Sequence, residues 1–148
     1  PFKKLGKEIF ADIEIALSKK SKSDLDKIIP DSYENKQSLT TLCDMYGEID
    51  IIQSAKESFS YLEATQNFME DLEGSLDKLI HKSGLILHVD LGEVQGFKYH
   101  NGVVFSAYAD SAGYVLAKGG RYDGLRKQSD RDRPAVGFDL DLVSVSNL

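Results

Sequence analysis

The hydrophobic period changes once along this chain, at Gly84, and that change limits the fold more than any other feature. Before it, apolar residues recur at helical spacing. Leu5, Ile9, Ile13 and Leu17 stand four apart with Ala16 beside them, which makes one apolar helix face. Ser23, followed three residues later by Asp26, resembles a capping box opening a short helix that Pro30 closes. Leu39, Leu42, Cys43 and Tyr46 form another short stripe, stopped at Gly47, and Ile51, Ile52, Ala55 and Phe59 a third. The longest stripe is Met69, Leu72, Leu76, Leu79 and Ile80, with Gly84 where a left-handed C-cap prefers glycine.

After Gly84 the period is two. Leu85, Leu87, Val89 and Leu91 alternate with Ile86, His88 and Asp90, as in a half-buried strand. Asn101-Gly102 is a turn candidate ahead of an apolar, aromatic run through Tyr108. Residues 110–113 read as a hairpin loop and 114–118 as its return strand, ended by Gly119 and Gly120. Residues 121–133 carry five basic side chains and read as a loop or short helix. A last strand is expected over 134–138, and 140–148 begin a helix. The spacing therefore predicts an α+β fold. Helices run over roughly residues 3–83 and a mainly antiparallel sheet over 85–138, giving a helical segment 1–83 and a sheet segment 84–148.

Composition narrows the function classes. No apolar run approaches the roughly 20 residues that a membrane-spanning helix needs, and no signal peptide is recognisable. The single cysteine cannot close an internal disulfide, which fits a reducing, cytoplasmic setting. With 24 acidic and 18 basic residues the chain has a formal charge of −6, which argues against nucleic-acid binding. The acid is concentrated: residues 31–78 hold eleven acidic and three basic side chains. Such a run is either a set of solvated helix faces or a docking surface for a basic partner. His81, His88 and His100 have no ligand-type partner at helical spacing, so no metal site is expected. A nucleophile elbow, a P-loop and a dinucleotide fingerprint are all missing, and no cofactor is implied. The first residue is Pro1 rather than Met, and the chain is read as part of a longer one.

One string carries more. Gly119-Gly-Arg-Tyr-Asp-Gly-Leu125 sets two glycines, where a backbone can approach a ligand, before a guanidinium, a phenol and a carboxylate. By itself it could be a glycine bulge with a surface Arg121–Asp123 pair. As a string it resembles the second histidine-specific motif of histidyl-tRNA synthetases. Upstream, Gln95-Gly-Phe-Lys-Tyr-His-Asn-Gly-Val-Val-Phe105 resembles the first such motif, Arg-Gly-Leu-Asp-Tyr-Tyr-Thr-Gly-Thr-Val-Phe, with Gly96, Tyr99, Gly102, Val104 and Phe105 matching. Downstream, Pro134-Ala-Val-Gly-Phe-Asp-Leu-Asp-Leu-Val-Ser144 holds the frame of class II motif three. The resemblance runs over residues 85–144 and implies a class II synthetase-like fold.

The departures decide what the resemblance implies. Gln95 stands where a synthetase arginine contacts the adenylate α-phosphate, and Ser144 where the motif-three arginine holds ATP. Asp141 replaces a glycine that leaves room for the nucleotide. Adenylate formation needs fixed cations, and here two are lost and an anion is gained. The profile resembles the regulatory subunit of ATP phosphoribosyltransferase, a non-catalytic paralogue of the synthetases. Asp90-Leu-Gly-Glu93 and Gly102-Val-Val-Phe-Ser-Ala-Tyr108 extend that likeness.

The resemblance implies histidine feedback on the first step of histidine biosynthesis. It also implies a hetero-oligomer with a short-form catalytic subunit, self-association, and no aminoacylation. The chain corresponds to the C-terminal part of such a subunit. Its histidine pocket is expected at Tyr99, His100, Tyr108, Gly119, Gly120, Arg121, Tyr122 and Asp123, with Tyr122 and His100 nearest the ligand. In synthetases a tyrosine takes the place of His100. Part of the acidic segment is expected to contact the catalytic subunit or a second regulatory subunit. The alternatives are a divergent histidyl-tRNA synthetase fragment, a tRNA-sensing module, and a domain with no ligand.

Overall fold

A computed structural model describes residues 7–83, 85–94, 100, 102–110, 113–122 and 134–148. The chain divides into two compact units, Pro1–Gln95 and Gly96–Leu148. Among the described residues, no helix is long and apolar enough to cross a membrane.

The first unit is helical. Helix α1 (Lys7–Ser18) buries Ile13, Ala16 and Leu17, the face set by the four-residue spacing; Leu5 lies outside the described residues. It ends in a Schellman turn. Ser21 N–H donates to Ala16 O and Lys20 N–H to Leu17 O, with Lys20 left-handed at φ 51°. Helix α2 (Lys22–Ile28) starts one turn later than α1 stops, and its cap is Ser21, not Ser23. Ser21 Oγ accepts the Asp24 N–H at 3.3 Å, so one residue ends α1 and opens α2. Leu25, Ile29, Leu39 and Cys43 complete this core, and burial pushes the Cys43 thiol pKa up.

Helix α3 (Lys36–Thr41) is shorter than the stripe suggests. A 3₁₀ turn (Leu42–Asp44) follows, and Tyr46 belongs to strand β1 (Tyr46–Gly47) rather than to a helix. Helices α4 (Ile51–Ser58) and α5 (Glu63–Ser83) then pack around Ile52, Ala55, Phe59 and Met69, with Leu72 and Leu76 alongside. Lys56 Nζ and Glu73 Oε2, 2.5 Å apart, tie the two helices together. The Gly84 cap lies outside the described residues.

The strand expected from Leu85 contracts to β2 (Val89–Asp90), which pairs antiparallel with β1 through Tyr46↔Asp90 and Gly47↔Val89. Its partner is two residues long, so Leu85 and Ile86 have no ladder to join and stay exposed. Asp90 anchors the end of β2. Its Oδ1 accepts from Lys20 Nζ at 2.5 Å and from Gly92 N–H at 2.9 Å. Gly92 is required there, because a Cβ would strike the Leu42 carbonyl.

Among the described residues, the second unit holds an antiparallel sheet of β3 (Val104–Ala107), β4 (Ala117–Arg121) and β5 (Val136–Leu140), followed by α6 (Leu142–Ser146). Gly119 and Gly120 do not end the return strand; they sit inside it, opposite Phe138 and Gly137 of β5. The register sorts the two faces. One carries Phe105, Phe138, Val136 and Leu140, all exposed. The other carries Val104, Gly120 and Gly137 in one row and Ser106, Lys118 and Asp139 in the next.

Candidate functional site

The second face has a glycine floor. Gly120 of β4 pairs directly with Gly137 of β5, and Val104 of β3 completes the row. Side chains fill the space that two Cβ atoms would take. A Cβ on Gly120 would stand 2.8 Å from Val104 Cγ1 and 3.0 Å from His100 Cδ2. One on Gly137 would stand 2.9 Å from Tyr122 Oη. His100 and Tyr122 therefore lie over adjacent glycines, whose Cα atoms are about 5 Å apart in an antiparallel pair. His100 is half-buried and its Nδ1 is shielded from solvent. The Tyr122 N–H donates to Ala135 O at 2.8 Å, which carries the backbone pairing of β4 and β5 one residue past Arg121.

The expected site residues divide accordingly. His100, Gly120 and Tyr122 come together. Gly119 and Arg121 face the other side of the sheet: a Cβ on Gly119 would meet Phe138 and Phe105, and the Arg121 stem lies against Gly102. Tyr108 lies just beyond β3 and is 65% exposed, and the contacts at the floor come from His100 and Tyr122 instead. Tyr99, Asp123 and Gln95 lie outside the described residues, as do Asn101 and most of 121–133. Gly137 is the part of the floor that sequence reasoning passed over, although it sits in the motif-three frame.

Asp141 and Ser144 are bonded to each other. Asp141 caps α6: its Oδ1 accepts the Ser144 N–H at 3.0 Å and its Oδ2 the Ser144 hydroxyl at 2.7 Å. The backbone bond from Ser144, then its hydroxyl, hold the Asp141 carboxyl pKa below the usual value.

The sequence profile of histidyl-tRNA synthetase matches residues 4–145, nearly the whole chain. The chain belongs to the histidyl-tRNA synthetase family. Within reach of that family, it is similar to proteins named ATP phosphoribosyltransferase regulatory subunit. The one from Ralstonia nicotianae is 33% identical over 76% of this chain and 28% of its own length. That from Methylobacillus flagellatus is 40% identical over 78% of this chain and 29% of its own. The chain thus spans less than a third of the relatives it matches. A crystal structure from Bacillus halodurans, described as an ATP phosphoribosyltransferase regulatory subunit/histidyl-tRNA synthetase, has the same fold. It superposes with a TM-score of 0.75 at 25% identity, over 97% of this chain and 39% of the other. The α+β, synthetase-like architecture expected from the motifs is the one observed.

Proposed function

We propose that this chain is the histidine-binding part of a regulatory subunit of ATP phosphoribosyltransferase and does not itself activate histidine. The observation that carries this reading is the Asp141–Ser144 pair. At two positions where the family resemblance implies a glycine and an ATP-holding arginine, a carboxylate and a hydroxyl bond each other instead. Asp141 stays ionised at neutral pH and occupies the backbone N–H that starts α6. A polyphosphate brought there would meet a fixed anion in place of a cation, which raises the barrier to adenylate formation. His100, where the synthetases have a tyrosine, and Tyr122 still lie over the glycine floor, and on this reading they bind histidine without activating it.

The name that the relatives carry supports a partnership with the catalytic subunit; the reading adds histidine as effector, self-association and a cytoplasmic setting. Feedback then consists of a coupling free energy between this pocket and the catalytic site, and the coupling is reciprocal: catalytic-site ligands must change histidine affinity by the same factor.

Two measurements on the full-length protein test the proposal. Histidine-dependent exchange of pyrophosphate into ATP should stay at background. Calorimetry should detect histidine, with weaker binding in Tyr122→Phe or His100→Ala; unchanged affinity in both variants places the pocket elsewhere. The family profile itself favours a second reading, a divergent synthetase fragment, and clear exchange turnover would establish that one.

A further inference from the structure

We infer that the cleft between α1 and α2 is a docking pocket for one arginine side chain of a partner protein. Under the proposed function that partner is the catalytic subunit, so the partner's identity, though not the pocket, rests on that reading.

The cleft is built from one pattern used twice. Helix α1 contributes Asp12, Ile15 and Ala16, and α2 contributes Asp24, Lys27 and Ile28. Each set is spaced i, i+3, i+4, which places it along one side of its helix. Residues 19–21 join the two helices, and the Schellman turn and the Ser21 cap fix that join. The aliphatic positions make the floor. Ala16 is buried and Ile28 packs against the core, but Ile15 is 51% exposed while Ile13 and Leu17 of the same helix are buried. Covering Ile15 with an aliphatic stem removes apolar surface from water.

Size and charge select the occupant. The cleft encloses about 180 Å³, below the roughly 300–1,000 Å³ of pockets that take up a whole small ligand. It suits a single anchoring side chain at a protein interface, where arginine, tyrosine and tryptophan are the usual anchors. Two carboxylates and one ammonium line it. Lys27 Nζ stands 3.7 Å from Asp24 Oδ1, a loose pair whose lysine is mostly in solvent. Asp12 makes no ion pair among the described residues. A cation is therefore the charge that the cleft lacks. Arginine meets both demands: its aliphatic stem lies on Ile15 and Ile28, and its planar, weakly hydrated guanidinium forks onto a carboxylate. A phosphate, whether of a nucleic acid or of a lipid headgroup, would be repelled by Asp12. The competing role is a solvated seam between two helices, whose exposed charges contribute little.

Two measurements on the full-length protein separate these roles. The first titrates methyl-labelled isoleucine resonances with n-butylguanidinium and with n-butylurea, its uncharged isostere. Butylguanidinium should shift the Ile15 and Ile28 methyls, and butylurea should shift them less at the same concentration. Asp12→Asn should weaken the guanidinium response roughly two- to fivefold, the span of an exposed ion pair, and leave butylurea unchanged. The second measures assembly with the catalytic subunit by sedimentation. Asp12→Lys should weaken it by about tenfold, since like charges set against each other at an interface are strongly disfavoured. Glu14→Lys makes the same charge change about 200° around the helix and should assemble like the parent. Both positions are exposed, so both variants should keep the parent's unfolding midpoint. Ile15→Ser, which shortens the floor without touching charge, should weaken both probes and the complex. Methyls that ignore butylguanidinium, or answer both probes equally, overturn the inference, as does an Asp12→Lys protein that assembles like the parent. A parent that takes up the guanidinium probe but forms no complex overturns the regulatory reading and the partner named here.

Discussion

A methyl group at Gly120 would press on Val104, on His100 and on the Val103 carbonyl, two of them held by the sheet. At Gly137 the nearest atoms belong to the Tyr122 ring and hydroxyl, the far end of one side chain. The two glycines should therefore respond differently. Gly120→Ala should cost about 1–3 kcal/mol in urea unfolding, the range of core overpacking. Gly137→Ala should cost less, because Tyr122 can swing aside, and should appear mainly as weaker histidine binding in calorimetry. Equal stability losses in the two variants would mean that Tyr122 is as fixed as the backbone. The same residues define how far the site was legible in sequence. The Gly119–Leu125 string identified the motif, since its residue types are specific. It could not assign faces. Neighbours in a strand point to opposite sides, and the string reads alike whether its glycines end β4 or lie within it. The string therefore groups Arg121 with Tyr122, whereas the register sends them to opposite faces.

Elements were legible where a stripe was long. Helices α1, α4 and α5 follow their apolar spacing, because burying one face of a multi-turn helix needs several residues in phase. Strand β1 was missed because two residues have no period, and Tyr46 fitted a helical stripe by chance. Ser21 and Ser23 both suit the role of α2 cap in sequence, and the Schellman turn of α1 selects Ser21. That turn makes a prediction of its own. Lys20 bears the strain of a left-handed backbone and also pairs with Asp90. Lys20→Ala loses the ion pair and keeps the strain, while Lys20→Gly loses the pair and relieves it. The glycine variant should be the more stable of the two by about 1 kcal/mol, read from their urea midpoints. The cap of α6 predicts a pH response. Asp141 has its folded pKa depressed by Ser144, so its contribution is fully present above the unfolded value near 4. It is lost as pH falls through the lower folded value. The Ser144 amide resonance should therefore titrate below about pH 4, and the titration should vanish in Asp141→Asn. An Ser144 amide that ignores pH throughout would contradict the cap.

At the scale of the whole molecule, charge rather than packing sets the chain apart. Residues 31–78 hold eleven acidic and three basic side chains, a local charge of −8 that residues 1–29 reduce to the net −6. Helix α5 carries much of that acid. Glu70, Asp71 and Asp77 are exposed, whereas Glu73 is half-buried and holds Lys56. Glu73 therefore belongs to the packing of α4 on α5, and reversing it would disturb the fold rather than report on a partner. The other three are free of that objection. If this surface meets the catalytic subunit or a second regulatory subunit, it does so by attraction to a basic patch. Such attraction between exposed groups is screened over about 10 Å at 0.1 M salt. Assembly of the wild-type protein should then weaken as salt rises. Changing Glu70, Asp71 and Asp77 together to lysine takes the formal charge from −6 to zero. It should weaken the complex in sedimentation velocity or blunt histidine inhibition, while the unfolding midpoint stays near that of the parent because none of the three is buried. Helix movement at an interface is one way a small change in a pocket reaches another chain, so loss of inhibition with assembly intact would mark α5 as part of the coupling. Sedimentation and inhibition curves that match the parent at every salt concentration would make the acidic face a solvated one.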